Sequence, residues 1–138
     1  MDLSTIDIRD AVNEGSVLEL RDPQGSPIFD DDGKTPVTIT LLGDDSDAVT
    51  KINNIHANQY MRSGTGGQTV TAEMTLTNLI NKLAAATVSW SGIGLEGEDL
   101  PCTTENAKLL YRRLPWVRDQ VRAFIHDRAN FTKPSRKG

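Results

Sequence analysis

An α+β fold is what this sequence predicts, and three observations carry that expectation. Between residues 17 and 42, Leu18 and Leu20 alternate with Glu19 and Arg21, and Val37, Ile39 and Leu41 alternate with Thr38 and Thr40. A period of two marks a half-buried strand. Beyond residue 46 the apolar positions recur every three or four residues, the spacing of one helix face. The 11 Gly and 6 Pro fall mainly between these stretches and punctuate them. The expected architecture is a small antiparallel N-terminal β-hairpin or meander, about 17–42, packed on a mainly helical bundle at about 46–62, 71–88, 103–113 and 115–130.

The chain opens on a short helix: Ser4 stands as its N-cap with Asp7 three residues on, Leu3 and Ile8 hold the positions of a hydrophobic staple, and Gly15 supplies a left-handed stop. In the β region, residues 22–27 turn the chain toward Ile28 and Phe29, and residues 30–34 turn it again toward Val37. Two or three strands then share one apolar face, and a sheet that small needs helices on it. Asp44, Asp45 and Ser46 offer N-caps, and the acids suit the positive end of a helix dipole. The helix they open runs to about Arg62 with a thin stripe of Val49, Ile52, Ile55 and Tyr60. The Gly-rich residues 63–69 read as a flexible loop.

From about Thr71 the residues Leu76, Leu79, Ile80, Leu83, Ala84, Thr87 and Val88 make the strongest core helix, and its run Ala84, Ala85, Ala86 lets another helix approach closely. Three glycines between Ser89 and Pro101 break helicity. Thr103 or Thr104 caps the next helix, which offers Ala107, Leu110, Tyr111 and Leu114 to a core. Pro115 suits the first turn of the last one, where a missing N–H costs nothing. There Trp116, Val117, Val121, Phe124 and Ile125 fall on one face with Gln120, opposite Arg118, Asp119, Arg122, Asp127 and Arg128. Burying five such side chains contributes roughly 1.5 to 3 kcal/mol each before entropy, so this helix must dock on something. Residues 1–131 read as a single domain and 132–138 as a basic disordered tail.

At 138 residues the chain suits one domain with a modest core, and 5% aromatic residues keep that core small. No apolar run approaches the length of a membrane span, and Met1-Asp2-Leu3-Ser4 opens on an acid where a signal peptide is basic, so the expected compartment is the cytosol. The single Cys102 excludes an internal disulfide and fits a reducing environment. The net charge of -4 hides a polarity: residues 1–50 hold twelve acids against three bases, and residues 101–138 three acids against nine bases. Formal charge therefore runs from -9 at the front to +6 at the back. That gradient either steers head-to-tail self-association or belongs to solvated faces. Nucleic-acid binding is not expected, because the front half repels phosphate and the basic stretch lacks interleaved aromatics.

Residues 92–97 spell GxGxxG, but acids and Pro101 follow where a phosphate-binding helix must start, which makes the match fortuitous. Residues 64–67 lack the Lys-Ser/Thr of a P-loop. Aligning Gly33 to the sixth place of a calcium loop puts Ile28 and Ile39 where oxygen ligands are required, so the acids around it read as a turn. His56 and His126 have no ligand partner at a useful spacing. No cofactor, metal or catalytic group is indicated. Trp90 and Trp116 serve either as partner anchors or as core plugs. The candidate contact residues are Trp116, Val117 and Phe124, which packing against the helix at residues 76–83 explains equally well.

The segments VLELRDPQGSPI, PVTITLLGDDSDA and LAAATVSWSGIGLEGEDLPCTTENAKLLYRRLPWVRDQVRAFIHDRANF together resemble the tail assembly chaperones of long-tailed, lambda-type bacteriophages. Most specific are the turn Trp90-Ser91-Gly92-Ile93, the helix start around Glu105-Asn106-Ala107 and the close Arg128-Ala129-Asn130-Phe131. The likeness extends from about Val17 to Phe131. Residues 63–68 depart from it as an insertion, and Cys102 stands where a larger apolar residue is expected. What the resemblance implies is a non-catalytic protein of the host cell cytoplasm, absent from the mature virion. Such a protein coats the long, largely helical tape-measure protein, keeps it soluble and helps recruit the tail-tube protein. It has no membrane or nucleic-acid partner. The alternative is a structural minor tail or tail-terminator protein of the virion.

Overall fold

The computed structural model describes residues 1–65 and 71–132. A 3-10 turn, Leu3–Ile6, and a short helix α1, Arg9–Glu14, open the chain. Strands β1, Ser16–Glu19, and β2, Thr38–Leu41, follow, then helices α2, Asp47–Thr65, and α3, Ala72–Ala86. Strand β3, Thr87–Ser91, leaves α3 directly, a two-residue hairpin β4, Gly94–Leu95, and β5, Glu98–Asp99, comes next, and helices α4, Thr104–Arg113, and α5, Pro115–His126, complete the main elements. A last 3-10 turn spans Arg128–Phe131.

The α+β class is as expected, but the sheet differs from the N-terminal hairpin. It is antiparallel in the order β1-β2-β3, so its third strand comes from beyond α3. Thr87 and Val88 therefore belong to a strand and not to the core helix. The run Thr-Val-Ser-Trp-Ser is β-branched and aromatic with alternating polarity, and those side chains suit a pleated surface better than a helix. Thr40 pairs with Ser89 but Leu41 pairs with Thr87, which makes Val88 the extra residue of a β-bulge and leaves it 51% exposed. Ile28 and Phe29 form no strand. Arg21 and Phe29 make single bridges to Pro27 and Pro36, prolines without the N–H that a ladder needs. Ile28 still bridges the two arms, donating to the Leu20 carbonyl and accepting from Val37 N–H at 3.3 and 2.9 Å.

Cross-strand partners Leu18, Ile39 and Trp90 form one inward row. The helices cover that face, with α3 packed against α2, α4 and α5. Ile39, Leu41, Ile80, Leu83, Leu110, Tyr111, Val121 and Ile125 form the buried centre. Where the fortuitous GxGxxG match lies, Glu96 and Gly97 both take positive φ, 55° and 79°, as the tight turn between β4 and β5 requires. The segment is a hairpin and opens no helix.

Several ends differ from expectation. Asp2, not Ser4, caps the first turn, accepting from Ser4 N–H at 3.0 Å, and Leu3 is 70% exposed, so no staple forms with Ile8. Of the three α2 cap candidates, Ser46 does the work: it is buried and its Oγ accepts from Val49 N–H. Helix α2 continues through Ser63 and Gly64 to Thr65, since one Gly near a helix end costs little. The rest of the expected loop at 63–69 lies outside the described residues, as does the expected tail beyond Thr132. Helix α5 stops at His126 rather than near 130, because Asp127 turns its carboxylate to Ala129 N–H at 3.0 Å and caps a new 3-10 turn. That turn carries Phe131 against Ala11 and Val12 in a second small core, which joins the two ends of the chain.

Candidate functional site

Three of the helices leave one face uncovered together. Helix α2 contributes Asn53, His56, Ala57 and Tyr60, helix α3 contributes Ala72, Thr75, Leu76, Leu79 and Lys82, and helix α5 contributes Asp119, Arg122, Ala123 and His126. Each set has the i, i+3, i+4, i+7 spacing of a single helical stripe. The three stripes enclose two adjoining hollows of about 520 and 610 Å³ that share Lys82 and Arg122. Along α3 the groove runs from Ala72 to Lys82, about 15 Å at the helical rise, or three turns.

Its two ends differ in chemistry. At the far end Ala57, Leu76 and Leu79 present apolar surface, and Asn78 donates to the Tyr60 hydroxyl at 2.8 Å. His56 stands in this wall at 8% exposure, and among the described residues its ring makes no hydrogen bond. Burial there pushes its pKa below the usual imidazole value, so the ring is neutral at neutral pH. At the near end Asp44 is held between Lys82 Nζ at 2.9 Å and His126 Nδ1 at 3.2 Å. Arg122 is exposed and forms no ion pair among the described residues. The groove thus offers an apolar floor, a neutral imidazole and an uncommitted cation.

The segment feeding α2 explains why the near end is stable. Leu42 N–H donates to Ala86, Gly43 N–H to Val12 and Asp44 N–H to Ile125, so three consecutive amides bind three separate elements. Asp45 takes a two-pronged bond from Arg128 at 2.6 and 3.0 Å, which holds its carboxyl below the usual carboxylate range. Part of the front-to-back charge gradient is therefore neutralised inside one molecule, where Asp45 meets Arg128.

Of the three contact residues expected from the sequence, Trp116 and Val117 line one hollow of about 180 Å³ and Phe124 lies apart from them. Val117 is 2% exposed and faces the core, so it is not open to a partner. Trp116 is half-buried against Leu20, Ile28 and Leu114 on the sheet side. Phe124 lies about 12 Å further along the helix, half-buried against Phe131 with ring centroids 5.7 Å apart in an edge-to-face arrangement. Trp90 is also half-buried, and its indole N–H donates to the Leu100 carbonyl at 2.7 Å. Gln120, read as part of the apolar row, clamps the Arg21 backbone from both sides at 2.9 and 2.7 Å.

The acids of residues 30–34 have local work. Asp32 accepts from Lys34 N–H, Thr35 N–H and the Thr35 hydroxyl, which closes the turn. Among the described residues, no group of His, Cys, Asp and Glu is placed to hold a metal ion, and no helix is long and apolar enough to cross a membrane. No protein family, characterised protein or solved structure matches this chain.

Proposed function

We propose that this protein is a non-catalytic chaperone of phage tail assembly that holds helical segments of the tape-measure protein in the groove between α2, α3 and α5. One observation carries the reading: three helices present mixed apolar and polar stripes over three turns of α3, with no fourth helix on them among the described residues. An amphipathic client helix laid there buries its apolar side on Ala57, Leu76 and Leu79, as in other helix-in-groove recognition. Mixed polar walls keep the empty groove soluble while it waits for a client. The sequence resemblance to lambda-type tail assembly chaperones supplies the identity of that client and of the tail-tube protein as a later partner. The same reading places the chain in the host cytoplasm and outside the finished particle.

Ala57 is exposed on the groove wall, so Ala57→Trp fills the groove without entering the core. Co-expressed tape-measure protein is expected to stay soluble with the wild-type chain and to precipitate with the variant. Equal insolubility with and without the wild-type chain overturns the chaperone reading. Full rescue by Ala57→Trp removes the groove from it. Mass spectrometry of purified particles is expected to lack this chain, and its retention there favours a structural tail protein instead.

A further inference from the structure

We infer that the apolar hollow beside the turn at Gly92 is a docking site for a basic segment of a different chain, anchored there by one apolar side chain. Its walls share no residue with the client groove: Leu20 follows β1, Ile28 bridges the two strand arms, Ile93 lies in the turn after β3, and Leu114 and Trp116 stand at the junction of α4 and α5. The hollow measures about 180 Å³, and no charged side chain lines it among the described residues. A cavity of roughly 150 Å³ takes one benzene molecule, so this one suits a single Phe or Leu side chain. A Cβ at Gly92 would stand 3.2 Å from Val37 Cγ2 and 3.5 Å from Asp30 Cγ. Apolar wall and first carboxylate therefore meet at that residue.

The charge around the mouth selects the occupant. Two further hollows adjoin this one through Gly92 and Gly94, and the charged residues lining them are Asp30, Asp31, Glu96, Glu98 and Asp99. Among the described residues no Lys, Arg or His lines any of the three. Glu96 is paired with Arg113, and the other four carboxylates form no ion pair among the described residues. Of the nearby cations, Arg21 turns its guanidinium to the Gly25 carbonyl at 3.0 Å, and Lys34 is exposed in the turn that holds Asp30. The client groove differs, since there Lys82 and Arg122 stand among Asp44 and Asp119. Carboxylates alone make an ordinary solvated surface. With an apolar hollow in their midst they match a peptide whose aromatic or aliphatic residue is flanked by Lys and Arg, the hollow giving the anchor and the acids the steering.

Titration of the isotope-labelled full chain with the capped peptide Arg-Lys-Phe-Lys-Arg, followed by NMR, tests this. Shifts are expected at the Gly92, Ile93 and Gly94 amides and the Trp116 indole, with Leu76 and Lys82 unmoved. Replacing Phe by Gly in the peptide is expected to weaken binding about tenfold or more, because the buried ring is the anchor. Asp31→Asn/Glu98→Gln/Asp99→Asn alters only exposed positions. It is expected to weaken the Phe peptide about threefold or more and to flatten the salt dependence. The absence of these shifts at millimolar peptide overturns the inference. So does equal binding of the Gly peptide, which leaves only a diffuse attraction to acids, or undiminished binding by a triple variant whose amide spectrum shows it folded. Shifts at the same residues on concentrating the protein alone give the hollow to a second copy and overturn it too. The inference does not rest on the client reading. Ala57→Trp alters the groove alone and is expected to leave peptide binding unchanged, so loss of client rescue and loss of peptide binding are read separately.

Discussion

The hydroxyl of Tyr111 lies 2.6 Å from Oγ1 of Thr87, tying α4 to the point where α3 becomes β3. Thr87 already donates to the Leu83 carbonyl at 2.8 Å, so Tyr111 is the donor in the second bond. Tyr111→Phe keeps the buried ring and deletes this bond. Stability is expected to fall by about 1 kcal/mol, read as a lower urea midpoint at unchanged slope. An unchanged midpoint would show that the bond contributes nothing net.

Burial also raises the Tyr111 phenol above its ordinary value of 10.0. A raised folded pKa means that the native state keeps its proton after the unfolded chain has lost it. The associated stabilisation is complete below pH 10.0 and declines as pH rises toward the folded value. The decline approaches about 1.4 kcal/mol per pH unit for one group. Tyr111→Phe should flatten the alkaline limb of the stability curve. If wild type and variant lose stability in parallel above pH 10.0, another group governs that limb.

Gly43 shows how tightly the two ends of the chain are joined. A Cβ there would stand 2.8 Å from Val12 Cγ1, 3.0 Å from Val12 Cβ and 3.4 Å from Phe131 Cδ2. Valine is too short to swing aside, so Gly43→Ala forces α1 or the final turn to shift. The expected loss is about 1 to 3 kcal/mol. Amide exchange of α1 and residues 128–131 should quicken first, ahead of the main core. Uniform quickening would mean that the second small core is not a separate unit.

Most helices were legible in the sequence because their signals are local. Thr103 accepts from Asn106 N–H and Pro115 opens α5, both as their positions require. Strand β3 was not, since Thr87 and Val88 continue the apolar spacing of α3 in sequence while their partners in β2 lie some fifty residues away. Pro27, read as a turn residue, and Pro36 also forbid the third local strand. The contact residues were less legible for a related reason. An apolar face on α5 says that the helix is covered but not by what, and Val117 and Phe124 are covered by this chain itself. The groove residues Arg122, Ala123 and His126 sit on the polar face of α5, and His56 interrupts the thin stripe of α2. Only the packing of three helices brings them together.

Arg128 and Asp45 illustrate a pair that is well formed but weak. The Arg128 side chain is largely open to solvent and that of Asp45 partly so, and Arg128→Ala is expected to lower stability by less than about 1 kcal/mol. The depressed Asp45 pKa contributes above the ordinary value of 3.8 and is lost as pH falls through the folded value. High salt should shrink the difference between wild type and variant. A difference that persists in high salt would point to lost packing of the Arg128 stem.

His56 couples the groove to acidity. Its pKa is depressed by burial, so the native state holds fewer imidazole protons than the unfolded chain below pH 6.5. Its contribution to stability is therefore full above pH 6.5 and falls as pH drops toward the folded value. Asp44, Lys82, Arg122 and His126 also line the two adjoining hollows, so the ring must be followed directly by NMR, where its midpoint is expected below 6.5. A midpoint at or above that value contradicts the burial argument. His56→Leu fills a similar volume without a polar nitrogen, and it should leave stability at neutral pH unchanged or slightly raised and flatten the acid limb. The same variant separates the two roles of this side chain. A loss of client rescue with stability intact would place the ring nitrogen against the bound helix, whereas unchanged rescue would make His56 part of the wall alone.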